Sequence, residues 1–518
     1  MSFSRRSFVK TLGVSTIGLS ALPILNSFRF PAEKFLRKSP ESQGVSSESI
    51  LNFLAAVRKS GIEWHSFMLL RHGNVVAEAW WKPFEVDYKH TLYSLSKSFT
   101  SSAIGFLVDE GKVSVNDKVI SFFPNDLPAE ISANLKAMTI KHLLTMNTGH
   151  KTDTMPVLRQ KEPQTWVKSF LQHPVVFEPS THFLYNTGAT YMLGAILHKV
   201  TGKTLEEYLK ARLFVPLGIE NYDWEKSPEG LNTAGFGLRV GTEDIAKFGQ
   251  LYLQKGKWNG KQLISEKWIE EATSKQTTSQ AGDNDWSQGY GYQFWRCKPG
   301  FYRGDGAYGQ FCMVIPEQDA VLVMTSESFD LQKSMNIAYE NLLPGFLKDA
   351  LPENPELLKK LKNEIQTLSL PVTKSKTFSP LMAKYSDKRF KMDKNPYGIS
   401  EMGFGLFPDA GVVRFFDNKE IKKMGFGWEK WQVNKNGVVN RFPIPYRTQS
   451  TSKIAATATW LNDNTLQINM KFVEAVHGDK MTVVFEGDKV TINLLSSISE
   501  NAKNTPETRV VMTGVMVG

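Results

Sequence analysis

The sequence predicts an α+β protein: an antiparallel sheet flanked by helices, a helical region inserted into it, and a C-terminal all-β domain. Three observations predict it. A helix and a strand hairpin open the folded part, and strand signals return at residue 289. Between them lies a largely helical region reaching to about residue 215. Late in the chain, short alternating runs are separated by Asn, Asp and Gly turns, which signals an antiparallel sheet or small barrel. At roughly 150 residues per domain, a chain of 518 residues suits two or three. The 41% hydrophobic and 22% charged residues exclude wholesale disorder, a collagen-like chain and a polytopic membrane protein. An aromatic share of 12%, with 12 Trp and 33 Phe, implies large packed cores or a lined cleft.

The front of the chain reads as an address. Ser4-Arg5-Arg6-Ser7-Phe8-Val9-Lys10 resembles the twin-arginine consensus. The apolar stretch behind it, Thr11 to Leu25, is short for a ~30 Å hydrocarbon core and fits a signal h-region. Residues 1–27 are therefore expected to be an export signal, either cleaved near Ser27 or retained as an anchor, with a periplasmic or other extracytoplasmic destination. No second long apolar run follows, so no stable membrane span is expected beyond it. Of the formal net charge of +10, six charges fall within the first 40 residues. A nucleic-acid footprint needs a clustered basic face, and none follows, so no nucleic-acid partner is expected.

Ser46 to Lys59 reads as a helix, with serines at its start and Ile50, Leu51, Phe53, Leu54 and Val57 at helical spacing. Phe67–Arg71 and Val75–Trp81 flank His72-Gly73-Asn74 as a hairpin. Leu95 to Glu110 is a strongly apolar helix closed by Gly111. Strands are expected at Gly289–Trp295, Ala307–Pro316 and Ala320–Ser326, then an amphipathic helix over Leu331–Leu347. The expected domains are 28–350, a Pro- and Lys-rich linker at 351–380, and an antiparallel β domain at 381–518. Its strands are read at Val412–Phe416, Ala455–Leu461, Thr465–Phe472, Met481–Phe485 and Lys489–Leu494.

Cys297 and Cys312 sit in apparent strands across a Gly-rich turn, so either a disulfide or two buried thiols fits. No His/Cys cluster has metal-ligand spacing and no H-E-x-x-H occurs, so neither a metal nor a cofactor is expected.

Ser94-Leu95-Ser96-Lys97 matches S-x-x-K, a pattern expected about four times by chance in this composition. It occurs three times, at Ser7, Ser94 and Ser450. Only Ser94 opens a long apolar helix. There, positions i and i+3 share a face, so the Lys97 amine can reach the Ser94 hydroxyl, and the helix N-terminus favours developing negative charge.

In this context the chain from about residue 45 to 345 resembles the serine β-lactamase/penicillin-binding-protein superfamily. It is most similar to the branch of class C β-lactamases, carboxylesterases and aminohexanoate-oligomer hydrolases. The resemblance is carried, in family order, by Leu92 to Lys97, Gly111 to Val119, Thr139 to Gly149, Phe183 to Thr187, Asp244 to Gly249, Gly289 to Tyr292 and Gly306 to Gln310. It implies a β-lactamase-like sheet, Ser94 as acylating nucleophile and Lys97 as its amine partner. Tyr185 stands at the family's Y-x-N tyrosine, useful as a base only if nearby Lys⁺ favours the phenolate. The backbone N–H groups of Ser94 and Ala307 would form an oxyanion hole. Asp244 and His142 read as helix-face and core positions rather than triad members.

Two departures narrow the expectation. Thr187 ends the second motif where many relatives have Asn. Gly304, followed by Asp305, stands two residues before Gly306 where relatives place Lys or His to hold a drug carboxylate, and Arg303 is a partial substitute. Thr187, Gly304 and Gly306 are thus the expected substrate-binding positions. The reading is a serine hydrolase that forms an acyl-enzyme on Ser94 and hydrolyses a small ester or amide. A β-lactamase or D-peptide hydrolase is one alternative; an inactive penicillin-binding-like sensor is the other. No partner for the β domain is legible.

Overall fold

The computed structural model describes residues 34–517 except 161–163, 374–375, 418–419 and 436–452. The twin-arginine segment and Ser450 lie outside the described residues.

The first expected helix forms as α1 (Ser47–Ser60), with Ser46 accepting from the Glu48 N–H and Gly61 ending it at φ +72°. The hairpin follows as β1 (Glu63–Arg71) and β2 (Asn74–Trp80). The buried helix of the central motif is α2 (Ser96–Asp109), α3 (Thr187–Thr201) belongs to the helical region, and α4 (Thr242–Leu253) follows it and packs on the sheet. The chain then returns to the sheet through β3 (Trp295–Arg296), β4 (Tyr302–Gly306), β5 (Gln310–Ile315) and β6 (Ala320–Glu327). The six strands lie antiparallel in the order β2-β1-β6-β5-β4-β3.

Side chains on this sheet alternate between two separate cores. Phe67 and Leu69 of β1 pack beneath α1 with Phe311, Met313, Leu322 and Met324, whereas Met68 and Leu70 join Cys312, Val321 and Val323 against α2 and α4. Both faces are covered, so β1 and β6 are buried at nearly every position and show no alternation of buried and exposed side chains.

Several expected elements differ. Residues 289–294 are not a strand, and only Trp295 of the expected run enters one, as the start of β3: Gly289 (φ +109°) and Gln293 (φ +67°) turn the backbone back on itself, and a Cβ on Gly291 would lie 2.1 Å from the Ala272 carbonyl oxygen. The run 307–316 is divided, because 307–309 is the turn between β4 and β5. The helix expected to Leu347 ends sooner, as α5 (Leu331–Asn341), before Pro344 enters a tight turn. Residues 351–380, expected as a linker, contain α6 (Pro355–Gln366). Asn354 caps it, Leu361 is buried in the α1 core, and Glu364 pairs with Arg58 of α1. Both cysteines are free and buried.

The C-terminal unit is a barrel of β7 (Arg389–Met392), β8 (Glu401–Leu406), β9 (Ala410–Phe416), β10 (Ile421–Trp428), β11 (Gln432–Asn434), β12 (Ile454–Trp460), β13 (Thr465–Phe472), β14 (Gly478–Glu486), β15 (Lys489–Ser496) and β16 (Met512–Val517). Its order is β10-β9-β8-β7-β16-β15-β14-β13-β12-β11, and β10 closes on β12 through a parallel contact at Gly427 and Thr457. Closure removes open edges around its own core, which includes Phe390, Phe404, Phe426, Trp460 and Phe485. Among the described residues, no helix is long and apolar enough to cross a membrane.

Candidate active site

Ser94 lies in a tight turn, Tyr93–Leu95, that runs directly into α2. Short strand pairing of His90–Thr91 with Leu238–Val240 anchors the approach. Tyr93, just before the serine, takes the left-handed backbone at φ +48°. Non-glycine residues rarely adopt that conformation, and such strain concentrates at functional sites.

One turn further on, Lys97 is 1% exposed. Its Nζ donates to Ser94 Oγ at 3.1 Å, to the Gly235 carbonyl at 2.8 Å and to Thr187 Oγ1 at 3.4 Å. Burial brings the amine down to about 7, against the opposing pull of Asp153 and Asp305. Gly235 must lack a side chain here: a Cβ would sit 2.8 Å from Thr187 Cγ2 and 3.3 Å from Lys97 Nζ.

Tyr185 presents its ring face to Lys97, with Nζ 4.9 Å from the centroid, and stacks on Trp295 at 5.5 Å. The expected phenolate does not follow. Burial pushes Tyr185 up, and Asp305 adds to it, while the Ser94 hydroxyl pulls the other way. Burial disfavours the charged form of each group, so it lowers the amine and raises the phenol. Lys97 is therefore the group of the pair that titrates near neutrality.

Thr187 opens α3. Its N–H donates to Asp153 Oδ1 at 2.8 Å, while Asn186 caps the helix and holds Thr154. On the sheet side, Gly306 allows β4 to press against the entry to Ser94: a Cβ would lie 2.0 Å from the Leu92 carbonyl oxygen. Ala307 follows at the exposed turn, its carbonyl accepting from Gln310 Nε2 at 3.1 Å. Gly304 faces α2 with no space for a side chain, since a Cβ would lie 2.4 Å from Leu95 Cδ1 and 2.6 Å from Ser98 Oγ.

Arg303 does not substitute for the missing cation. It is fully buried, bonded to Asp305 at 3.0 Å and to the Arg296 carbonyl at 2.9 Å, with Trp286 under its guanidinium at 4.8 Å. Its charge is committed to Asp305 rather than offered to a ligand.

Asp153, Gly235 and Trp295 were not foreseen as site residues. Gly235 contributes a carbonyl, which has no side-chain signature, and the other two reach the site through tertiary packing. His142 instead closes a capping box with Thr139, and Asp244 accepts from the Gly241 N–H at 3.1 Å. Burial raises the thiols of Cys297 and Cys312 to about 11 and about 12, so neither is a ready nucleophile. Among the described residues, no group of three His, Cys, Asp or Glu side chains is arranged to hold a metal.

An antiparallel sheet with helices on both faces, and a serine–lysine pair at the head of the helix beside β4, define the class: a serine hydrolase of β-lactamase fold. The Beta-lactamase family model matches residues 54–344, and the chain belongs to that family. It is 24% identical to the 6-aminohexanoate-dimer hydrolase of Paenarthrobacter ureafaciens over 282 residues, 50% of this chain and 72% of that protein. To the β-lactamase of Escherichia coli strain K12 it is 25% identical over 193 residues, 33% of this chain and 50% of the other. A Bacillus anthracis structure assigned as a 6-aminohexanoate-dimer hydrolase superposes with a TM-score of 0.51 at 22% identity, covering 62% of this chain and 88% of its own.

Proposed function

We propose that this hydrolase cleaves small neutral esters or amides through an acyl-enzyme on Ser94. The observation that carries the reading is the 3.1 Å contact between Ser94 Oγ and an amine that burial holds near pH 7. Neutral Lys97 takes the Ser94 proton as Oγ bonds to the substrate carbonyl carbon. The resulting oxyanion is received by the N–H groups of Ser94 and Ala307. Collapse expels the alcohol or amine, which leaves with a proton relayed from Lys97 or the Tyr185 phenol. A water, giving its proton back to the same pair, then releases the acid and restores Ser94.

Gly304 in place of a cation, and Arg303 locked onto Asp305, favour substrates without a carboxylate beside the scissile bond. The amide branch of the reading draws support from the relatedness to 6-aminohexanoate-dimer hydrolase. Export by the twin-arginine route, to the periplasm or another extracytoplasmic space, is part of the proposal and rests on Arg5 and Arg6 in their consensus setting. A fluorophosphonate probe tests the core of it: covalent labelling at Ser94, with turnover of short esters or amides, is expected. An unlabelled, inactive protein would favour the sensor alternative.

A further inference from the structure

The turn between β13 and β14 of the barrel enters the hydrolase unit. Val473 and Val476 are fully buried, and Val473 joins the core beneath α1. At its end, His477 Nδ1 lies 2.6 Å from Glu327 Oε1 on β6, and Nε2 lies 2.6 Å from the Tyr93 phenolic oxygen. A carboxylate only accepts, so Nδ1 donates to Glu327, which turns Nε2 to the Tyr93 phenolic oxygen. Burial pushes the Tyr93 phenol well up, so it keeps the proton it donates.

The same imidazole meets the edge of a second tyrosine. Tyr308 packs T-shaped against His477 at 4.6 Å, and the Tyr93 and Tyr308 rings are 5.4 Å apart. These two tyrosines share an uncommon backbone state, φ +48° and φ +64°. One directly precedes Ser94 and the other directly follows Ala307, the two residues whose amides face the proposed oxyanion. A single barrel side chain therefore braces both strained segments.

We propose that His477 is a positioning residue: held by Glu327, it fixes Tyr93 and Tyr308 and so aligns the Ser94 and Ala307 amides, making the barrel an integral part of the hydrolytic site. This rests on Ser94 being the nucleophile.

The test compares the full chain with His477→Ala, Tyr93→Phe, the double variant and His477→Gln, on p-nitrophenyl acetate. Each single loss is expected to lower kcat by roughly 10- to 100-fold, the scale of a misplaced catalytic group, with KM changed less than about twofold. The double variant should fall no further than His477→Ala, because both changes break one hydrogen bond. His477→Gln, whose amide oxygen can accept from the phenol, should recover part of the loss. Wild-type kcat in folded His477→Ala overturns the inference. Where His477→Ala fails to fold, Tyr93→Phe decides, since it removes one oxygen atom, and wild-type kcat there overturns it equally. Absence of fluorophosphonate labelling in the wild-type protein would instead sink the nucleophile assignment, which keeps the two failures apart.

Discussion

Glu63 on β1 and Glu327 on β6 are register partners on neighbouring strands, and Lys471 of the barrel lies 2.6 Å from the first and 3.6 Å from the second. Burial alone would raise the Glu63 carboxyl, but the Lys471 charge and the His65 contact outweigh it and hold it at about 2. Glu327 is drawn down in the same way by Lys471 and His477. Two carboxylates of the hydrolase unit thus converge on one barrel cation.

Lys471→Met should therefore destabilise the protein by about 3–5 kcal/mol at pH 7, the usual result of stranding buried charge. The depressed carboxyls contribute stability that is present above their ordinary value near ~4.3 and lost as the pH falls through about 2 for Glu63. Without the lysine, burial raises them, so the variant takes up protons earlier. Its Tm deficit should be smaller at pH 5 than at pH 7. An equal deficit at both would show that Lys471 acts through packing alone.

The hydrolytic rate should rise with pH through about 7 and then level, because the reactive form is the deprotonated Lys97 amine. Lys97→Arg, which stays protonated, should abolish turnover, as should Ser94→Ala. Stopped-flow profiles of kcat/KM between pH 5 and 9 check this. A rate still climbing steeply at pH 9, with no levelling above 7, would overturn the assignment of a lowered Lys97 amine as the working base.

Tyr185→Phe should lower kcat by roughly 10²–10⁴-fold, the range for losing a proton-transfer group. The limb near 7 should persist in that variant, because Lys97 sets it. Its disappearance would mean that the tyrosine titrates with the amine.

p-Nitrophenyl acetate should be cleaved ahead of nitrocefin, since a missing charge-assisted bond to the drug carboxylate costs roughly 1.5–3 kcal/mol. Gly304→Lys should not restore nitrocefin turnover. Its Cβ would enter space held by the buried Leu95 and Ser98, 2.4 and 2.6 Å away, and such overpacking costs about 1–3 kcal/mol. A wild-type preference for nitrocefin would overturn the reading of this strand.

What the sequence determined by itself was local. The i, i+3 spacing of Ser94 and Lys97 lets the amine reach the hydroxyl, the 3.6-residue period marks α1, and an apolar run closed by Gly111 marks α2. Period-two alternation marks β9 and β13, whose outer faces meet solvent. α6, inside the expected linker at 351–380, was not legible because it is short and rests on its docking to α1. The strand reading failed over 289–294, before Trp295 enters β3, because apolar residues in a tight turn look like a strand.

Only the tertiary structure decided the chemistry. Lys97 meets the Gly235 carbonyl across 138 residues of chain, and it is this enclosure that lowers its amine to about 7. Arg303 and Asp305 neutralise each other where the sequence offered one as a ligand for anions. His477 reaches Tyr93 from 384 residues away. Desolvation and long-range contact depend on what the folded chain brings together, and neither leaves a periodic mark on the residues that take part.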